Sequence, residues 1–459
     1  MTDSLDALTV IFTEFYYWLT VALMFLIHVG FCIYEVGASR NKNKMHTLMK
    51  NTMLIPLITV TFYLFGWWIY WAFPVGIPGL TGEYPADLAN ANLPWSETMS
   101  THMQDRITGV FWAAFLLFSW TAGSIVSGAV IERIRSGAFW ICAVLIGSVA
   151  WIIDAAWGWH PDGWMVTELG YHDAYASGVI HAIAGGAALG VLCVLGPRIG
   201  KFKADGTPRV ILPNNPWLVT VGLFLIYTGF WGFYVACNVP IIGSDVIGST
   251  GEDGVVFYTA TTIYLTPTTL SAITFNFLMS LSGGLMAGYL VSRGDAFWTY
   301  SAGLAGIITA SAGNDLYHPI ESFIVGGVGA WAAYKLHYWV ERRFKIDDAV
   351  GAVAVHGYAG FIGLVISGFV LWGHPATAGY HETVTAITPW GQFLGALIMF
   401  FGLGFLPMWI LAKVLNAFGM LRVPRDVEIA GLDFSGAHAS ALDEAEMIEA
   451  DLAAVRSKT

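Results

Sequence analysis

The sequence predicts an all-α integral membrane protein with eleven transmembrane helices, its N-terminus outside and its C-terminus inside the cell. Three observations carry this expectation. Hydrophobic residues make up 56% of the 459 and charged residues only 12%, a balance foreign to ordinary soluble domains. Apolar runs recur at about 20 residues, the length that crosses roughly 30 Å of hydrocarbon. Basic residues crowd alternate loops, as cytoplasmic loops require.

Taken in order, the apolar runs lie near 9–36, 50–75, 107–131, 136–156, 173–197, 216–239, 262–292, 296–313, 318–338, 349–373 and 389–418. The first loop carries Arg40, Lys42 and Lys44, the third Arg133 and Arg135, and the fifth Arg198, Lys201, Lys203 and Arg209. Arg293 marks the seventh; Arg342, Arg343 and Lys345 mark the ninth. The second loop instead sets Arg106 among Glu83, Asp87, Glu97 and Asp105, and the sixth has Asp245, Glu252 and Asp253. Odd loops therefore face the cytoplasm. The chain divides into a transmembrane domain, 1–418, and a cytoplasmic tail, 419–459, whose last stretch (ASALDEAEMIEADLAAVRSKT) predicts an amphipathic helix. The opening residues lack the basic start and cleavage site of a signal peptide, so the N-terminus is expected to stay.

Composition also narrows the chemistry. Much of the net charge of −11 sits in the tail and polar loops, so nothing points to nucleic acid. Cys32, Cys142, Cys193 and Cys237 fall in apolar runs without paired spacing, which indicates neither a disulfide framework nor zinc. There is no nucleophile elbow, phosphate loop or nucleotide-binding glycine pattern. Neither enzymatic activity nor a cofactor is expected.

One pattern occurs twice. DAYASGVIHAIAG (173–185) and DAVGAVAVHGYAG (348–360) both fit D-A-x6-H-x2-A-G. Ionisable residues in hydrocarbon-like sequence are costly to keep and mark function. By loop parity the fifth helix runs inward and the tenth outward, so the copies are related by inverted symmetry. Eight residues at about 1.5 Å each put each histidine about 12 Å deeper than its aspartate. His181 and His356 are thus expected to meet near the midplane, where two imidazoles can share or relay a proton. The plainer reading, histidines as interhelical hydrogen-bond partners, loses ground when two copies converge. Asp173 and Asp348, at helix starts, read mainly as caps.

With these copies stand GAVIERIRSGA (128–138), YEVGASRNKN (34–43), GFWGFYVA (229–236) and LRVPRDVEIAGLDFSGAH (421–438). In this order the chain resembles the ammonium transporter family, the Amt/Mep/Rh superfamily, over almost its whole length. The resemblance implies two inverted five-helix halves plus a final helix, a homotrimer in the cell membrane, and a pore through each subunit. It implies ammonium as cargo, with Trp159 as the vestibule aromatic, stacked Phe118 and Phe233 as the gate, and the histidine pair beneath. It also raises a PII-type regulatory protein as a partner at the tail, or ammonium sensing through it; a tail packed against the subunits is the plainer expectation.

The chain departs from the family pattern where cargo is chosen. Cys237 stands at the family's vestibule serine, Tyr234 at an asparagine, and Phe230 at a tryptophan with Trp231 following. Ala114 replaces an outer phenylalanine beside Phe115, Asp154 adds a carboxylate, and TASAGNDLY (309–317) replaces the usual eighth-helix run. Aromatic faces and distant negative charge suit a methylated or quaternary amine. Uptake of methylammonium, choline or betaine is therefore an alternative, against which the surviving Phe118 and Phe233 argue. Elsewhere, Glu35 is expected to cap the first basic loop, Asn314 and Asp315 to cap the ninth helix, and His318 and Glu321 to form a solvated pair.

Overall fold

A computed structural model describes residues 2–77, 81–101, 108–240, 248–251, 254–258, 260–377 and 385–434. Asp105, Arg106, Asp245, Glu252 and Asp253, and the amphipathic helix expected in the tail, lie outside the described residues. Long helical stretches occupy all the predicted positions: α1 (Thr2–Ala38), α2 (Asn41–Ala72), α3 (Thr108–Ala129), α4 (Ser136–Gly158), α5 (Ser177–Leu195) and α6 (Pro216–Ala236), then α7 (Leu270–Ser292), α8 (Ala296–Ala310), α9 (Pro319–Phe344), α10 (Val353–Val370) and α11 (Pro389–Ala417). Among the described residues, nine are long and apolar enough to cross a membrane. The other two are α8, with only 15 residues, and α9, whose 26 residues include Glu321, Lys335, Glu341, Arg342 and Arg343.

Several boundaries differ from expectation for local reasons. The seventh helix starts at Leu270, not 262, because the threonine-rich residues before it form strands. Thr and Tyr favour a pleated backbone, and Pro267 lacks the N–H a helix interior needs. The strands β1 (Asn238–Pro240), β4 (Ala260–Thr262) and β5 (Pro267–Thr268) make an antiparallel sheet in the order β1-β4-β5, with Asn238 opposite Thr262 and Ala260 opposite Thr268. A separate hairpin pairs β2 (Gly248–Gly251) with β3 (Gly254–Phe257). At α9 the cap is a box made by His318 and Glu321: His318 accepts from the Ile320 N–H and Glu321 from the His318 N–H. Both residues are exposed, as a solvated pair is expected to be, and their box takes the place of the expected capping by Asn314 and Asp315.

Two close antiparallel crossings hold the bundle. Along α1 and α6, a Cβ on Gly30 would fall 2.6 Å from the Gly222 carbonyl oxygen, and one on Gly229 2.6 Å from the Ile27 nitrogen. Along α5 and α10, Gly185 lies against Gly357, while Gly360 lies against Ser177 and Ala182. In each pair, contact positions rise along one helix as they fall along the other, and α5 and α10 meet through their first halves. The small residues let backbones approach where lipid supplies no hydrophobic drive for association.

Odd loops and tail gather at one end of the bundle. Arg40 pairs with Glu132 at 2.8 Å, Arg198 with Asp347 at 2.8 Å and Lys201 with Glu341 at 2.5 Å. Arg422, after α11, pairs with Glu428 at 2.8 Å, and Glu428 accepts from the Ile199 N–H. Asp433 accepts from the Met45 and His46 N–H groups. The expected capping of the first basic loop by Glu35 does not occur: Glu132 takes Arg40 through its N–H and Nε. Burial would raise the Asp347 carboxyl, but the Arg133 and Arg198 guanidiniums hold it well below the usual carboxylate range.

Candidate functional site

The duplicated motif makes the same local structure twice. Asp173 accepts from the N–H groups of Ser177, Gly178 and Val179 at 2.7, 2.7 and 2.9 Å. Asp348 accepts from those of Ala352, Val353 and Ala354 at 2.9, 2.9 and 3.3 Å. The register, four to six residues beyond the aspartate, is identical, and in both the third residue is left-handed: Ala176 at φ 74° and Gly351 at φ 75°. Both aspartates therefore stand just outside their helices as caps, which is why α5 and α10 begin later than their apolar runs. Each helix opens with a π turn, Ser177–Ala182 and Val353–Tyr358, that contains its histidine. Such wide turns concentrate at functional sites because they re-aim side chains.

The histidines meet. His181 Nδ1 lies 3.1 Å from His356 Nδ1, with ring centroids 5.2 Å apart, and both residues are buried. Only one Nδ1 can carry the shared hydrogen. The donating ring then has a bare Nε2 acceptor, while the accepting ring carries its hydrogen on Nε2. Among the described residues His181 Nε2 has no partner.

A column of aromatic rings continues from the pair. The His181 ring stacks on Phe233 at 5.6 Å and on Phe230 at 5.7 Å. Phe233 meets Phe118 at 4.8 Å, and Phe118 meets Trp159 at 5.1 Å. The Phe118 and Phe233 rings stand at 84°, edge to face rather than stacked. Trp159 is oriented by its indole N–H, which donates to the Asp173 carbonyl at 2.7 Å, so the cap of α5 also positions the column. Phe230, noted in the sequence only as a departure, bridges gate and histidine, stacking on Phe233 at 4.8 Å. Its position three residues before Phe233 on one helix was the available signal.

Other sequence candidates lie beside the column or away from it. Tyr234 stacks on Tyr175 at 4.3 Å, and its hydroxyl joins Ser311 and Asn314 at 2.7 and 2.9 Å. Trp231 packs on Phe277 at 4.5 Å. Cys237 is buried with its thiol directed to the Phe233 carbonyl at 3.4 Å. Ala114 is buried, and Phe115 touches both Phe118 and Trp159. Asp154 is wholly buried, and among the described residues neither of its carboxyl oxygens has a hydrogen-bond partner.

The sequence reading missed a buried ion pair, His172 with Asp315 at 3.0 Å. His172 Nδ1 also faces the Ala376 carbonyl at 2.9 Å, and its ring lies 4.9 Å from Tyr264. Burial would lower the His172 pKa, but the Asp315 carboxylate and the hydrogen bonds raise it on balance. No sequence spacing links residues so far apart. Among the described residues no cluster of His, Cys, Asp and Glu is able to hold a metal ion.

Comparison with known proteins places the chain among relatives. Residues 15–441 match the family model described as Ammonium Transporter Family. The chain is 28% identical to ammonium transporter Amt2 of Archaeoglobus fulgidus over 90% of this chain and 84% of that protein. It is 27% identical to ammonium transporter Amt1 of Methanocaldococcus jannaschii over 91% and 94%. In fold it is similar to a structure described as a sensor Amt protein, with a TM-score of 0.75 at 22% identity, covering 94% of this chain and all of that one. Saccharomyces cerevisiae Mep2 gives a TM-score of 0.64 at 18% identity, covering 90% and 88%.

Proposed function

The chain belongs to the ammonium transporter family, and from that premise we propose that each subunit carries ammonium through a pore lined by the aromatic column and the histidine pair. The observation that carries the reading is the 3.1 Å contact of two buried imidazoles directly beneath Phe230 and Phe233. An ammonium ion entering so dry a passage loses its hydration, which costs several kcal/mol or more unless the charge is compensated or neutralised. Trp159 and Phe118 return part of this through their ring faces, on the order of 1 to 2 kcal/mol each. Release of the proton to the histidine pair removes the rest, and ammonia crosses the apolar stretch uncharged. The pair then gives that proton up from the far ring, back to the ammonia or to water on the inner side, and reversal of both tautomers across the Nδ1 contact restores its starting state.

In this reading eleven helices cross the cell membrane with the N-terminus outside, and three copies of the chain form a homotrimer. The gathering of basic odd loops at one end supports the orientation. Phe118 and Phe233 act as the gate: their rings must part for a cation to pass. Relatives named as transporters point away from an enzyme.

Uptake of a larger methylated amine is the second reading. Phe115, set against Phe118 and Trp159, favours it as a further aromatic face; Asp154 does not, because a carboxyl buried without a hydrogen-bond partner among the described residues is costly to ionise. Tyr234 and Trp231 count against it, since Tyr175, Ser311, Asn314 and Phe277 engage them. Currents and uptake in proteoliposomes given ammonium, methylammonium, choline or betaine decide between the two. Transport of ammonium and none of the quaternary amines is expected; the reverse would replace the first reading by the second. For sensing or docking of a PII-type regulator, loss of nitrogen signalling with intact uptake after removal of residues 435–459 would be the supporting result.

A further inference from the structure

On the side of the histidine pair away from the aromatic column lies a small cavity bounded by Phe31, Tyr34, Glu35, Ser301, Val350 and His356, among others. About 20 Å³ is open there to the centre of a water-sized molecule, which is room for one such molecule. Glu35 is wholly buried. Its Oε2 is fully engaged: the Ser127 hydroxyl donates at 2.7 Å, the Asn51 amide at 2.9 Å, and the Lys50 ammonium lies at 3.6 Å. Among the described residues its Oε1 has no partner, and it lies against Gly128, where a Cβ would come within 3.6 Å. Glu35 and Gly128 both line the cavity.

A buried carboxylate oxygen without a donor is costly and calls for an occupant. Lys50 approaches the carboxylate at Oε2, 3.6 Å away, while its ammonium donates to the Ser127 carbonyl at 2.8 Å. We propose that this cavity is a second binding site for the protonated cargo, in which Glu35 Oε1 accepts a hydrogen bond from the cation beyond His356. The site takes a small amine bearing at least one N–H. A quaternary amine offers no donor and exceeds the space. The inference rests on the ammonium-pore reading, which delivers cargo to His356; it adds a resting place after the histidines.

Infrared difference spectra of the full chain in nanodiscs, recorded as ammonium chloride replaces sodium chloride, test it. The expected result is a saturable shift of an ionised-carboxylate band that disappears in Glu35→Gln and is absent with choline. Glu35→Asp, which withdraws the oxygen, should weaken half-saturation by about tenfold, the order expected when a hydrogen bond to a charged group is lost. Glu35→Gln leaves Lys50 buried without its anion, so Glu35→Gln with Lys50→Met carries the test if the single variant does not fold. A band of the same size in the Glu35→Gln variants overturns the proposal, as does a wild-type protein that takes up ammonium yet shows no shift. If the wild type takes up methylammonium and not ammonium, the transport reading fails, and the same band measured with methylammonium judges the cavity separately.

Discussion

At the residue scale, the two copies of the motif solve one backbone problem with different side chains. Gly351 takes the left-handed position at no steric cost, whereas Ala176 holds φ 74° against a penalty of about 1 to 2 kcal/mol. Ala176→Gly is therefore expected to raise thermal stability by about 1 kcal/mol, and Gly351→Ala to lower it by a similar amount, read from melting curves. The histidines differ from these architectural positions because each Nδ1 has the other as its partner. His356→Leu should reduce ammonium uptake by proteoliposomes by about tenfold or more, equivalent to at least about 1.4 kcal/mol in the barrier. Uptake at the wild-type rate would remove the pair from the transport reading.

At the element scale, the crossing of α5 and α10 decides whether the histidines touch. A Cβ at position 360 would lie 2.1 Å from the Ser177 carbonyl oxygen and 3.0 Å from the Ala182 nitrogen. Gly360→Ala must separate the helices, with an expected cost of about 1 to 3 kcal/mol and a loss of uptake. Next to this crossing, the ion pair of His172 and Asp315 gives the fold a pH dependence with a definite sign. The folded pKa of His172 is raised above its ordinary 6.5. The pair's contribution is therefore complete below pH 6.5 and fades as pH rises through the folded value. Melting temperatures should fall on the alkaline side of that window in the wild type, and Asp315→Asn should flatten the slope.

At the scale of the whole molecule, one end of the bundle is locked by buried charge. Arg198 donates to Asp347 through Nε at 2.8 Å and through a terminal nitrogen at 2.9 Å, and also approaches Glu132 at 3.4 Å. Asp347→Asn leaves Arg198 under-compensated in a buried site, at an expected cost of about 3 kcal/mol. The Asp347 carboxyl is held below 3.8 in the fold, so its contribution stands above that pH and is lost as pH falls through the lowered value. The deficit of Asp347→Asn should be equal at pH 6 and pH 8 and shrink only under strong acid. Native mass spectrometry of the full chain should report three copies per particle, as the proposed trimer requires.

The sequence by itself determined the helical membrane class, the positions of the long helices, and the pairing of His181 with His356. These are properties of composition, apolar period and a repeated spacing, all of which a membrane reads locally through length and polarity. It also marked Asp173 and Asp348 as caps, because capping acts within one turn. Only the tertiary structure decided where the departures face: Tyr234 toward Ser311, Trp231 toward Phe277, and Asp154 into a buried site without a partner among the described residues. The threonines before α7 became strands rather than helix, and Glu35 turned from the basic loop toward Lys50 and the inner cavity. The physical reason is common to these cases. In a helix that is apolar all round, periodicity does not say which face meets a neighbour, and buried polar groups find their partners across long sequence separations that only close packing brings together.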